Sequence, residues 1–186
     1  MRKRKQRVLI AVTVLLSFFA CINIHEIGHV VAARLLGASD ATYALYTRTD
    51  VGFAIGYYVY DPSQISPLAA AVVTVAGLLF SQATAVILLA FRGVWVRSWF
   101  KREVTAVAAL VFFLDAPWQV WQGVVTNIHR HGGETGKDLV NFIYLINREL
   151  DINITLLKAG WLLLLALHTL LLFRLYRIGD DKTTFP

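Results

Sequence analysis

The sequence His25-Glu26-Ile27-Gly28-His29 combines residue types and a spacing that suit zinc chemistry. Two histidines four residues apart lie on one face of a helix, so both imidazole rings can reach the same ion. The glutamate beside the first histidine is close enough to take a proton from an attacking water. The motif therefore predicts a metal site with His25 and His29 as ligands and Glu26 as general base.

The segment that carries this motif is strongly apolar. Between Val8 and Leu36 the only charged side chains are Glu26 and Arg34. Charged groups are costly inside a bilayer, and they mark functional sites there. The whole chain has a mean hydropathy of +0.59 and is 16% charged, whereas soluble domains are about 25% charged. The composition predicts an integral membrane protein.

Four stretches are long enough to cross a bilayer, which takes about 20 apolar residues. We expect spans at about residues 8–36, 66–91, 104–125 and 154–176. Residues 42–60 are rich in aromatic and β-branched side chains, which predicts a short β-hairpin at the membrane surface. The hairpin either receives a peptide substrate as an added strand at its edge, or it is an amphipathic element that only covers the helical bundle. The expected fold is a single all-α membrane domain over residues 1–186, with about four helices and this hairpin.

The distribution of basic residues predicts the orientation in the membrane. Most of them lie before the first span, after the second span or after the fourth. Positive charge favours the cytoplasmic side, so both termini of this multi-pass protein are expected in the cytoplasm. The net charge of +6 then reflects membrane anchoring, and we expect no nucleic-acid partner. One cysteine excludes an intramolecular disulfide and a cysteine-based zinc site, and the oligomeric state is left open.

A catalytic zinc site usually has three protein ligands, so a third residue must join the two histidines. Asp138 follows a glycine-rich turn and begins an apolar stretch, where a helix dipole favours a carboxylate. It could instead be a simple N-cap. Asp115 lies in the middle of the third span and is the main competitor, unless it pairs with a polar group in the bundle. Further candidates are Glu134, His129, His131 and His168.

The segment from His25 to Gly37 resembles the first signature of the site-2 protease family of intramembrane zinc metalloproteases. Residues 75–82 are similar to the small-residue motif of that family's next core helix. The family carries an Asn, a Pro and then an Asp-Gly pair, whose aspartate is the third zinc ligand. The best match to this pattern is Asn127 followed by Asp138. No proline lies between them, Leu139 replaces the glycine, and the spacing is longer.

The resemblance implies zinc-dependent hydrolysis of peptide bonds in membrane-spanning or membrane-proximal substrates. It makes His25, His29 and Asp138 the ligands of Zn²⁺, and it suggests that Asn127 helps to hold the oxyanion. Site-2 proteases open toward the cytosol, whereas the charge distribution puts this motif in the outer half of the first span. The partners expected are the lipid bilayer and a membrane protein or peptide substrate.

Three other functions remain open. The first is a non-catalytic, zinc-binding pseudoprotease or scaffold that binds client helices, although the intact Glu26 favours a protease. The second is a prenyl-protein endopeptidase type, in which a glutamate such as Glu134 or Glu149 would be the third ligand. The third is a plain helical bundle that carries the motif by chance.

Overall fold

The computed structural model describes residues 2–49, 52–94, 99–131 and 137–181, and most of these are helical. In chain order the elements are α1 (Arg2–Leu35), β1 (Thr42–Thr49), β2 (Gly52–Val59), a 3₁₀ turn (Pro62–Gln64), α2 (Pro67–Val94), α3 (Trp99–Phe113), α4 (Asp115–Val125), α5 (Ile128–His131), α6 (Asp138–Leu150) and α7 (Ile154–Asp181).

Four segments of the described chain are helical, long and apolar enough to cross a membrane. They are Arg4–Leu35, Pro67–Arg92, Phe100–Val125 and Ile154–Ile178. The prediction of four long apolar helices with one small hairpin is thereby confirmed. This architecture is compatible with an integral membrane protein.

Helices α1 and α2 approach each other closely along the segment from His25 to His29. A Cβ atom on Gly28 would lie 2.8 Å from the Ala76 carbonyl oxygen and 2.9 Å from the Phe80 Cβ. Any residue larger than glycine would therefore push the two helices apart. Further along α1, Gly37 has a φ of 112°, and Ala38 N–H donates to the Ala33 carbonyl, as in a glycine-terminated helix end.

The third apolar segment, Phe100–Val125, is long enough to cross a membrane as expected, and its helix is interrupted at Leu114. Helix α3 ends at Phe113, and α4 begins at Asp115 after a turn at Leu114. Pro117 is the physical reason, because it has no N–H to donate to the carbonyl one turn earlier. The Phe112 carbonyl accepts a hydrogen bond of 3.0 Å from Gln82 Nε2 of α2. The interruption lies directly before Asp115 in the chain.

The predicted hairpin is present and packs along α1. Strands β1 and β2 are antiparallel, in a register that pairs Thr42 with Val59. Gly56 of β2 has a φ of 70°, and a Cβ there would lie 2.8 Å from Ile22 and 3.0 Å from Glu26 Cγ. The glycine thus lets β2 lie directly against the turn of α1 that carries Glu26.

Many of the buried apolar side chains in the described part of the chain fall into three clusters. One lies between α1, α2, α3 and α7, a second between α2, α4 and α6, and a third between the base of the hairpin, α1 and α2. The second cluster contains Leu139, which directly follows Asp138 in α6. Packing of α6 through this cluster holds its first turn against α2 and α4.

Candidate metal centre

The side chains of His25, His29 and Asp138 converge in the interior of the protein. One ligand atom from each lies within 4.8 Å of the others, and all three residues are buried. Asp138 Oδ2 is 2.8 Å from His25 Nε2 and 3.5 Å from His29 Nε2. The structure therefore brings together the three residues that the sequence predicted as ligands. They could hold a metal ion.

The tautomer of His29 follows from its surroundings. Its Nδ1 lies 2.6 Å from the Val73 carbonyl oxygen, which can only accept, so Nδ1 carries the hydrogen. In the neutral ring Nε2 then offers a lone pair. This Nε2 is fully buried and has no hydrogen-bond partner among the described residues. Leaving such an atom unsatisfied costs about 1–3 kcal/mol, and a cation between His29 and Asp138 would satisfy it.

His25 is oriented in the same way by a carboxylate. Its Nδ1 lies 2.7 Å from Asp115 Oδ2, so the ring donates from Nδ1 and turns Nε2 toward Asp138. Metal-binding histidines typically donate their second N–H to a carboxylate or a carbonyl. Asp115, the competing candidate for third ligand, thus contacts the far side of the His25 ring.

The backbone of α2 forms one wall of this site at Gly77. A Cβ atom there would lie 2.7 Å from His25 Nε2 and closer still to His29 Nε2. Even one methyl group would occupy the space between the two ligand nitrogens. The absence of a side chain at Gly77 therefore leaves room for an ion.

Asp138 is held in its charged form. Burial by itself raises the pKa of this carboxyl, but the hydrogen bond with His25 and the neighbouring His29 ring hold the pKa well below its usual range. Gln119 Nε2 of α4 also donates to Asp138 Oδ2, at 3.3 Å. Gln119 is not among the residues predicted from the sequence. Its signal there is a polar side chain one helical turn after Asp115 in an apolar segment.

Glu26 lies beside the cluster, on the wall of an open cleft. The cleft has a volume of about 690 Å³ and is lined by α1, α2, α6 and the hairpin, with Glu26 and Asp138 both exposed to it. Tyr58 of β2 stacks on His29, with ring centroids 4.2 Å apart, and closes the site from the hairpin side. A molecule in the cleft can therefore contact both Glu26 and Asp138.

The remaining candidates lie elsewhere. Asn127 is exposed, and its Oδ1 accepts from the Arg130 N–H at 3.3 Å at the start of α5. His129 and His131 belong to the same short helix. Glu134 lies outside the described residues. His168 Nε2 lies 3.0 Å from Gln82 Oε1, and Glu149 pairs with Arg148.

No family model, curated protein or solved structure matched this chain when it was compared with each of the three. Function is therefore inferred from the geometry of the chain's own residues.

Proposed function

We propose that this protein is an intramembrane zinc metalloprotease that hydrolyses peptide bonds of membrane-spanning or membrane-proximal substrates. The observation that carries the proposal is the convergence of His25 Nε2, His29 Nε2 and Asp138 Oδ2 next to a cleft that Glu26 and Asp138 line. Two imidazoles and one carboxylate suit a zinc site that keeps one position open. When bound, zinc polarises the scissile carbonyl and lowers the pKa of a coordinated water to about 7.

The protein's own groups would divide the remaining work. Asp115 and the Val73 carbonyl hold the two imidazoles with Nε2 directed at the ion. Glu26 accepts the proton of the attacking water and delivers it to the leaving amine. We give Asn127 no role in this proposal, because its exposed side chain bonds to the backbone of α5.

The membrane setting is supported by the surface of the helices. On α7, Leu163, Leu167 and Leu170 are each more than half exposed, which is unfavourable in water and suits contact with lipid. The basic residues near both termini support a cytoplasmic location of these ends. The bilayer would thus be the solvent of the bundle, and the cleft would give water access to Glu26.

Two measurements on detergent-purified protein test this function. Elemental analysis should find about one zinc per chain in the wild type, and zinc should be lost in His29→Ala. Incubation with a randomised peptide library, read by mass spectrometry, should yield new termini with the wild type and none with Glu26→Gln. Glu26→Gln should keep its zinc, because Glu26 is not a ligand.

The same pair of measurements distinguishes a protease from the main alternative, a non-catalytic scaffold. A non-catalytic scaffold would bind zinc in both the wild type and Glu26→Gln and would cleave nothing in either form. Absence of zinc in wild-type protein purified without chelators would contradict both functions.

A further inference from the structure

One face of α6 connects the metal cluster to the mouth of the cleft. The residues of this helix that line the cleft are Asp138, Asn141, Tyr144, Leu145 and Arg148. Their spacing of three or four residues places them on a single helix face. A substrate lying in the cleft would therefore contact this row of side chains on one side and the hairpin on the other.

The charge changes sign along the cleft. Asp138 of α6 and Glu26 of α1 are both acidic and lie at its inner end. Arg148 is the only basic side chain among the described residues that line the cleft. The guanidinium lies 5.6 Å from the centroid of the Tyr144 ring, a distance at which the ring attracts it. The cation is thus held on the cleft side of α6.

The present partner of Arg148 does not prevent it from binding a substrate. Its Nε lies 2.7 Å from Glu149 Oε1, and about half of the Arg148 side chain is exposed. Exposed ion pairs contribute little, because water solvates both partners well. The guanidinium has five N–H donors, so it can also bind a second carboxylate.

We propose that Arg148 determines substrate specificity by pairing with an acidic side chain of the peptide, four or five residues from the bond that is cleaved. Ten helical residues separate Asp138 from Arg148, a rise of about 15 Å. An extended peptide covers that distance with about four or five residues. This inference rests on the proposed function, since it takes the cluster around Asp138 as the point of cleavage.

The test is the sequence profile of cleaved peptides from the randomised library, for wild type, Arg148→Gln, Arg148→Glu and the control Arg130→Gln. Arg130 is exposed on α5 and does not line the cleft. The wild type and the control should enrich Asp and Glu about fivefold at the fourth or fifth position from the cleaved bond. Arg148→Gln should lose this enrichment, and Arg148→Glu should enrich Lys and Arg there instead. An unchanged acidic enrichment in Arg148→Gln, or none in the wild type, would overturn the proposal.

A binding readout keeps this test separate from the protease proposal. Zinc-loaded Glu26→Gln protein should capture library peptides enriched in acidic residues, and the double variant with Arg148→Gln should not. Acidic enrichment that depends on Arg148, in a protein that cleaves nothing, would support charge selection and contradict only the hydrolytic function. Equal capture by both proteins would overturn charge selection, whatever the outcome for cleavage.

Discussion

The carboxylate of Asp115 lies 2.7 Å from His25 Nδ1, on the opposite side of the imidazole ring from Asp138, which lies 2.8 Å from Nε2. The two aspartates therefore contact different nitrogen atoms of the same imidazole ring. Asp138 lies on the Nε2 side of the ring, next to His29, whereas Asp115 fixes the ring by accepting the N–H of Nδ1. Such an acceptor sets the tautomer and raises the basicity of the ligand nitrogen.

Replacing Asp115 should weaken metal binding without abolishing it. Asp115→Asn keeps an acceptor of the same size but removes the charge, so we expect zinc affinity to fall by about 10- to 100-fold. His29→Ala and Asp138→Ala remove ligands and should leave the purified protein without stoichiometric zinc. Zinc affinity would be measured by competition with a chelator. Retention of zinc in Asp138→Ala together with its loss in Asp115→Ala would show that Asp115, and not Asp138, is the third ligand.

The smallest possible side chain at Gly77 should be enough to block the site. A Cβ there would lie between the two ligand nitrogens, so Gly77→Ala should lose zinc and cleavage even though alanine favours a helix. Gly160→Ala is the matched control, because a Cβ on Gly160 of α7 has no atom within 4 Å. That variant should bind zinc normally and gain up to about 1 kcal/mol of stability from helix propensity. Normal zinc content in Gly77→Ala would show that the ion is bound elsewhere.

Much of the fold could be predicted from the sequence, because the relevant signals are local. A run of about 20 apolar residues has few alternatives to a long buried or membrane helix, and aromatic and β-branched residues favoured the hairpin. His25 and His29 could be paired for the same reason, since their four-residue spacing fixes their relation on any helix.

The completion of the site depends on contacts between distant parts of the chain. Asp115 and Asp138 are both single carboxylates next to apolar sequence, and only the packing of α4 and α6 shows which side of His25 each contacts. Gln119 has no distinguishing feature in the sequence, and its contact with Asp138 exists only because α6 lies beside α4. Asn127 matched a family pattern in sequence, but the short helix α5 holds its side chain at the surface.

The amide of Gln119 should contribute to metal affinity through Asp138. Gln119→Leu removes the donor that lies 3.3 Å from Asp138 Oδ2, and we expect a loss of about tenfold in zinc affinity. Gln122→Leu is the matched control on the same helix, since the Gln122 Oε1 atom is buried without a partner among the described residues. Its replacement should leave zinc affinity unchanged and should not lower stability. If the two variants changed zinc affinity equally, Gln119 would contribute only through packing and not through its hydrogen bond to Asp138.

The helix interruption between α3 and α4 should also affect the site, through Gln82. This side chain donates to the Phe112 carbonyl just before the interruption and contacts His168 of α7 with its other end. Gln82→Leu leaves a buried carbonyl without its partner, which costs about 1–3 kcal/mol of folding stability. Because this carbonyl lies three residues before Asp115, which contacts His25, we expect zinc affinity to fall in the same variant.

Comparison with His168→Phe separates the two effects of Gln82. This second variant removes the contact with α7 but leaves the bond from Gln82 to the Phe112 carbonyl in place. It should lower the unfolding temperature while zinc affinity, measured by chelator competition, stays at the wild-type value. An equal loss of zinc affinity in both variants would mean that overall stability, rather than the bond from Gln82 to the Phe112 carbonyl, governs zinc binding.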